Sequence, residues 1–129
     1  SKNGAILFKE NFSSKIQPII NNNYIFFLTK NNLLICIDID KKKILYSYEI
    51  NQLVSEFFNI KKKDLIFKNL MIVNSKIFIF TKNNHLIKLT LNGNVQNIIK
   101  LNSKIKTNPI IVDGTIMFIN NKNRLTVIN

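Results

Sequence analysis

The sequence of 129 residues contains no tryptophan, a single cysteine and only seven acidic residues. The lone cysteine, Cys36, excludes a disulfide within the chain. Its apolar surroundings predict a buried, unreactive thiol. No uncharged apolar run approaches the roughly 18 residues of a membrane-spanning helix, so none is predicted. The first residues, Ser1–Gly4, do not have the pattern of a signal peptide.

Arginine is almost absent from a strongly basic chain. The net charge is +12, yet Arg124 is the only arginine. Such a charge suits an acidic partner, but an excess of Lys, Asn and Ile is also what a biased coding composition produces. Arginine makes most bidentate contacts to phosphates and bases, so its scarcity makes nucleic acid an improbable partner.

One short unit occurs three times, and the three copies align with one another without a gap. The copies begin at Pro18, Leu70 and Pro109, and each consists of apolar strands separated by Asn- and Lys-rich turns. Repeats of about 40 residues built from short strands predict a β-propeller with one repeat per blade.

The central strand of each copy is apolar at consecutive positions, not at alternate ones. The three equivalent strands are Tyr24–Leu28, Ile77–Phe80 and Ile116–Ile119. A continuous apolar strand is typical of burial on both faces, as in a blade packed between two others. The turns before these strands, Asn22-Asn23, Asn74-Ser75 and Asp113-Gly114, favour residues with positive φ.

The predicted fold class is all-β, a propeller segment of about three four-stranded antiparallel blades with one short helical insert. Residues 4–9 are predicted as the fourth strand of a blade, 16–50 as a blade, 51–63 as the insert, 64–102 as a blade and 105–129 as an incomplete blade. In the insert, Asn51 is expected to cap a short helix. Four apolar side chains are expected to lie on one face of this helix: Leu53, Val54, Phe57 and Phe58.

The two ends of the chain are complementary in phase. Gly4–Phe8 matches a fourth strand, whereas the last copy stops after its third strand at Asn129. Three blades are few for a closed ring. We therefore expect either a homodimer that completes a six-bladed ring or a piece of a longer propeller.

The repeats resemble the PQQ-like, or quinoprotein-type, propeller repeat. The resemblance rests on Leu-Ile-Cys-Ile-Asp at 34–38, followed by Lys-Ile-Leu-Tyr at 43–46. The family aspartate matches Asp38, the docking tryptophan is replaced by Tyr46 and Phe8, and the family glycine is Lys42 in one copy and Gly4 in another.

The resemblance implies one of two functional classes. Quinone-dependent dehydrogenases hold their cofactor with tryptophan, adjacent cysteines and calcium-binding carboxylates, which this sequence lacks or has little of. The other class comprises non-catalytic scaffolds such as the BamB-type lipoproteins of outer-membrane protein assembly. We expect the second class, with no cofactor or metal, protein partners and a periplasmic location. The alternatives are a degenerate quinoprotein-like enzyme domain and a basic propeller that binds nucleic acid or anionic surfaces.

Individual polar residues offer few candidate sites. His85 is expected to be an exposed turn residue, because Leu33 and Arg124 occupy its equivalent positions, and Asp38 and Asp40 are expected to cap a turn. Two lysine runs are either solvated loops or contacts to an acidic partner or lipid head groups. They are Lys41, Lys42 and Lys43 in the first run and Lys61, Lys62 and Lys63 in the second.

Overall fold

The computed structural model describes residues 16–129 as three antiparallel sheets and one helix. Strands of each sheet pair in chain order. The first sheet contains β1 (Ile19–Asn21), β2 (Tyr24–Leu28), β3 (Leu33–Asp38) and β4 (Lys43–Glu49), and helix α1 (Ile50–Phe58) follows. The second contains β5 (Phe67–Val73), β6 (Lys76–Thr81), β7 (His85–Thr90) and β8 (Val95–Lys100). The third contains β9 (Ile110–Val112), β10 (Thr115–Ile119) and β11 (Leu125–Ile128). The strand predicted at 4–9 lies outside the described residues.

The second sheet is buried on both faces, as continuous apolar strands predict. On β6, Ile77 and Ile79 belong to the core that the second sheet shares with the first. The alternate residues, Phe78 and Phe80, belong to a separate core shared with the third sheet. Successive side chains of a strand point to opposite faces, so β6 forms part of both cores.

Left-handed residues at equivalent points shape the turns of the repeat. Asn74 and Ser75 both have positive φ, as do Asp113 and Gly114, which is the requirement of a type I′ hairpin turn. Asn22 has the same conformation in the first copy. A second set of equivalent asparagines, Asn32, Asn84 and Asn123, has φ between 60° and 63°. The predicted preference of these turns for positive φ is confirmed.

The hairpin between the second and third strand of each blade repeats one side-chain bond. An oxygen at the end of the second strand accepts a hydrogen bond from the backbone N–H four residues later. The pairs are Thr29 with Leu33 (3.1 Å), Thr81 with His85 (3.1 Å) and Asn120 with Arg124 (3.0 Å). This hydrogen bond, which recurs in all three copies, explains why each of these turns begins with a threonine or an asparagine.

Helix α1 is capped differently from the prediction. It begins at Ile50, and the Glu49 carboxylate accepts a hydrogen bond from the N–H of Asn51 at 2.8 Å. The side chain of Asn51 instead accepts from the N–H of Leu65 at 3.1 Å, which ties the helix to the segment before β5. The prediction that Asn51 caps the helix is therefore wrong, because its buried side-chain amide bonds to a residue outside the helix.

The predicted apolar face of α1 is also wrong in part. Val54 is buried, but Phe57 and Phe58 are exposed. The bond from Leu65 turns Asn51 inward, and Ser55 lies one turn later on the same side. Ile50 and Val54 complete the buried face, so the two phenylalanines remain at its exposed end.

Tyr46, which the sequence pattern aligns with the tryptophan of PQQ-like repeats, joins the first two sheets. Its hydroxyl donates to the Leu91 carbonyl oxygen at 2.8 Å, and its ring stacks on Tyr48 with centroids 4.8 Å apart. Burial raises the pKa of Tyr46 well above its usual value. Gly93 passes under this pair, and a Cβ there would lie 2.7 Å from the Tyr48 ring. Tyr46 thus links the first two sheets through a hydrogen bond in addition to packing.

The sheets have two distinct ends. The end that carries α1 and the β2–β3, β6–β7 and β10–β11 hairpins is the helix end. The opposite end, made of short turns such as Asn74-Ser75 and Asp113-Gly114, is the turn end.

We expect Phe80→Ala to lower the free energy of unfolding by about 3–5 kcal/mol, because it opens a cavity between the second and third sheets. Urea unfolding measured by circular dichroism checks this. The same substitution at exposed Phe57 is the matched control, with an expected effect of about 0.5 kcal/mol or less. Equal losses in the two variants would contradict the two-sided packing of β6.

Candidate interaction site

The structure separates the two lysine runs. Lys43 is the first residue of β4, whereas Lys62 pairs with Glu49, the last residue of the same strand. β4 has seven residues, so the runs lie about 20 Å apart at a rise of about 3.3 Å per residue. One run belongs to the turn end and the other to the helix end, and the two do not form a single surface.

The turn-end run is a solvent-exposed hairpin tip. The Lys41 N–H donates to Oδ1 of Asp38 at 3.0 Å, and Lys42 has a left-handed φ of 52°. This bond confirms turn capping as the role of Asp38. The Asp38 carboxylate is committed to the turn, and no carboxylate within residues 16–129 forms an ion pair with any of the three lysine side chains.

The helix-end run is more closely tied to the fold. Lys62 forms an ion pair with Glu49 at 2.5 Å, and this hydrogen-bonded contact raises the pKa of Lys62. Lys61 and Lys63 instead line a cavity of about 90 Å³ between α1 and the second sheet. Two of the three lysines therefore remain available to a ligand or partner.

The cavity beside Lys61 and Lys63 is mainly apolar. Its walls include Phe58, Ile60 and Ile98, with His85 among its lining residues. The prediction of His85 as an exposed turn residue is wrong, since it is the first residue of β7 and its Nδ1 is buried, with no hydrogen-bond partner among residues 16–129. The insert packs beside His85 in the second copy, and the other copies have no such insert. Alignment of the repeats therefore could not predict the burial of His85.

The third sheet exposes an apolar face that the sequence comparison of the copies does not reveal. Ile116 and Phe118 are buried against the second sheet, but the other face of the same sheet is open. Register places Met117 beside Ile110 and Val127, and Ile119 beside Leu125, on this outer face. Its most exposed members are Ile110 (57%), Leu125 (62%) and Val127 (51%).

The same sheet ends in an edge strand. Among the strands of residues 16–129, β11 pairs with β10 on one side only, whereas the corresponding strands β3 and β7 each pair with a further strand. β11 therefore combines an apolar face with a row of backbone groups that no described strand pairs. Both are features that strand pairing with another polypeptide satisfies.

The features that the resemblance associates with a quinone site are not found in the sequence or among residues 16–129. The chain has no tryptophan and no adjacent cysteines. Within residues 16–129, no three His, Cys, Asp or Glu side chains come together as a set that could hold a metal ion. Asp38 is occupied in its turn, as described above.

No protein-family model matches the chain, and no curated protein sequence matches it. Solved structures do match. The quinohemoprotein alcohol dehydrogenase of Comamonas testosteroni is 13% identical with a TM-score of 0.56, over 83% of this chain and 17% of that one. The WD40 domain of SCAP from fission yeast is 12% identical with a TM-score of 0.51, over 81% and 28%. BamB of Moraxella catarrhalis is 10% identical with a TM-score of 0.45, over 86% and 42%.

The similarities to the dehydrogenase and to the WD40 domain establish the fold. The chain is a partial β-propeller, and the predicted fold class is confirmed. Its resemblance to PQQ-type propellers holds at the level of the fold. The chain spans less than half the length of each of these structures.

The single thiol provides a probe of the core between the first two sheets. Burial, with a smaller contribution from Asp38, raises the pKa of Cys36 from 9.0 to about 11. The neutral thiol is thus favoured in the folded state, and its contribution to stability is complete below pH 9 and lost as pH rises toward 11. We expect iodoacetamide to label Cys36 at pH 8 only as fast as the protein unfolds. We also expect the free energy of unfolding to be lower near pH 11 than near pH 8.

Cys36→Ala is the control for the pH dependence. It should remove part of the stability loss above pH 9, and the remainder should follow Tyr46, whose raised pKa acts in the same direction. Rapid labelling of the native protein, measured by mass spectrometry, would show that the thiol is accessible.

Proposed function

We propose that this chain is a non-catalytic propeller scaffold that binds other proteins through its third sheet. The observation that carries this proposal is the open apolar face of β9, β10 and β11, next to an edge of β11 that no strand within residues 16–129 pairs. Addition of a strand to such an edge provides main-chain hydrogen bonds, and apolar side chains beside it provide specificity.

The preferred setting of this scaffold is a BamB-like part in outer-membrane protein assembly, in the periplasm. The support for it is the PQQ-like motif at 34–38 and 43–46, in which Asp38 caps its turn and Tyr46 docks between sheets. No helix within residues 16–129 is long and apolar enough to cross a membrane. In this proposal the third sheet takes either a strand of an assembly component or a second copy of the chain.

The interaction test uses a double variant of the open face. Leu125→Lys with Val127→Lys places two charges on that face without altering a buried residue. We expect the wild type either to form a homodimer, measured by light scattering, or to bind a purified periplasmic assembly component, measured by titration calorimetry. The double variant should weaken each interaction at least tenfold, because each buried charge is costly.

The control for this experiment is Ile20→Lys, which adds a charge at another exposed apolar residue, on β1. It should leave both interactions unchanged. A wild type that is monomeric and binds no assembly component would overturn the scaffold proposal. Equal weakening by the control would instead assign the interaction to a different surface.

The absence of catalysis is tested with the cofactor of the resembling enzymes. A ligand at 100 times its dissociation constant stabilises a protein by about 2.7 kcal/mol, which raises Tm by several degrees. We expect pyrroloquinoline quinone with calcium to leave the Tm of this chain unchanged, while it raises that of a quinone-dependent dehydrogenase measured alongside. A saturable rise in Tm for this chain would favour the enzyme alternative.

A further inference from the structure

Positive charge is concentrated at the helix end. Within residues 16–129, helix α1 and the connecting segments of this end contain two acidic residues, Glu56 and Asp64, against nine basic ones. The basic residues are Lys30, Lys61, Lys62, Lys63, Lys82, Lys104, Lys106, Lys122 and Arg124. At the opposite end, with the adjoining strand ends included, Lys41, Lys42, Lys43 and Lys76 are nearly balanced by Asp38, Asp40 and Asp113. The fold therefore places most of the positive charge of the described residues at one end, so the electrostatic potential is more positive there than at the turn end.

The same end exposes apolar side chains next to its lysines. Phe57, Phe58 and Ile60 are 44%, 47% and 48% exposed, and they directly precede Lys61 in the chain. The two phenylalanine rings meet edge to face with centroids 5.4 Å apart. Asn59 ends the helix in a left-handed conformation, so the apolar and basic residues form one turn at the end of α1.

A basic surface with adjacent exposed aromatic and aliphatic side chains has the composition of membrane-interface segments. The apolar groups enter the boundary between head groups and acyl chains, and the lysines contact the phosphates. We propose that the helix end docks onto an anionic lipid surface, with Phe57, Phe58 and Ile60 inserted and Lys61 and Lys63 on the head groups.

Lipid fits this surface better than nucleic acid does. Base and phosphate recognition relies strongly on arginine, and Arg124 is the only arginine at this end. Ile60 offers an aliphatic group that acyl chains accommodate and that a nucleic acid backbone does not. Lysine, a compact point charge, is suited to head groups that present phosphates without fixed geometry.

The test measures sedimentation of the full chain with vesicles of phosphatidylcholine alone and of phosphatidylcholine with one third phosphatidylglycerol. We expect binding to the anionic vesicles only, and weaker binding as salt is raised. Lys61→Gln with Lys63→Gln should lower the partition coefficient roughly 20- to 30-fold, at about fivefold for each lysine near the surface. Lys62 is left in place because it pairs with Glu49.

Two matched controls distinguish the surface from its total charge and total apolarity. Lys41→Gln with Lys43→Gln removes the same charge at the turn end and should change vesicle binding less than threefold. Phe57→Ser should lower binding about tenfold or more, while Ile20→Ser, on β1, should leave it unchanged. Circular dichroism and urea unfolding verify that each variant is folded.

Three outcomes would overturn the proposal. Equal binding to neutral and anionic vesicles would remove the role of charge, and equal losses in the two lysine variants would remove the role of the helix end. Binding of duplex DNA or polyglutamate that depends on Lys61 and Lys63, without vesicle binding, would assign the surface to nucleic acid or to an acidic protein. The Leu125→Lys, Val127→Lys variant should bind vesicles at least as well as wild type, which separates this test from that of the scaffold.

Discussion

The constraint on which the structure depends is the burial of the second sheet on both faces. β6 contains no exposed apolar position, so its residues require a neighbouring sheet on each side. The first and third sheets supply these neighbours, and Tyr46 adds a hydrogen bond across one of the two interfaces. A stack of blades follows directly from this requirement, because a two-layer sandwich would leave one face of β6 in water.

The same requirement gives different results at the two sides of the stack. The outer face of the first sheet carries a buried cluster of Phe27, Ile35 and Ile37. The outer face of the third sheet leaves Leu125 and Val127 exposed. Since the repeated strands have the same apolar pattern, the outer face of the third sheet has the composition of a face that is covered in the second sheet.

Local chemistry explains what the sequence could predict. The left-handed asparagines and the Asp113-Gly114 turn depend on residues within the turn itself, and the apolar strands depend on a pattern shared by all three copies. The cap of α1 and the position of His85 depend on contacts made in one copy only. Asparagine is a favourable N-cap residue, but Oδ1 of Asn51 accepts a hydrogen bond from the N–H of Leu65, which lies 14 residues later and outside any local pattern. The separation of the lysine runs likewise depends on the direction of β4, which runs from one to the other.

The geometry of the blades also keeps the two proposed surfaces apart. The open face of the third sheet lies along the strands, at the side of the stack, whereas the helix end lies at the ends of the strands. Strand addition at β11 therefore leaves Phe57, Lys61 and Lys63 uncovered, because they belong to the insert that follows the first sheet. A scaffold of this shape can hold a protein at its side while its basic end rests on a lipid surface. The insert, which interrupts the repeat, is then the element that orients the propeller.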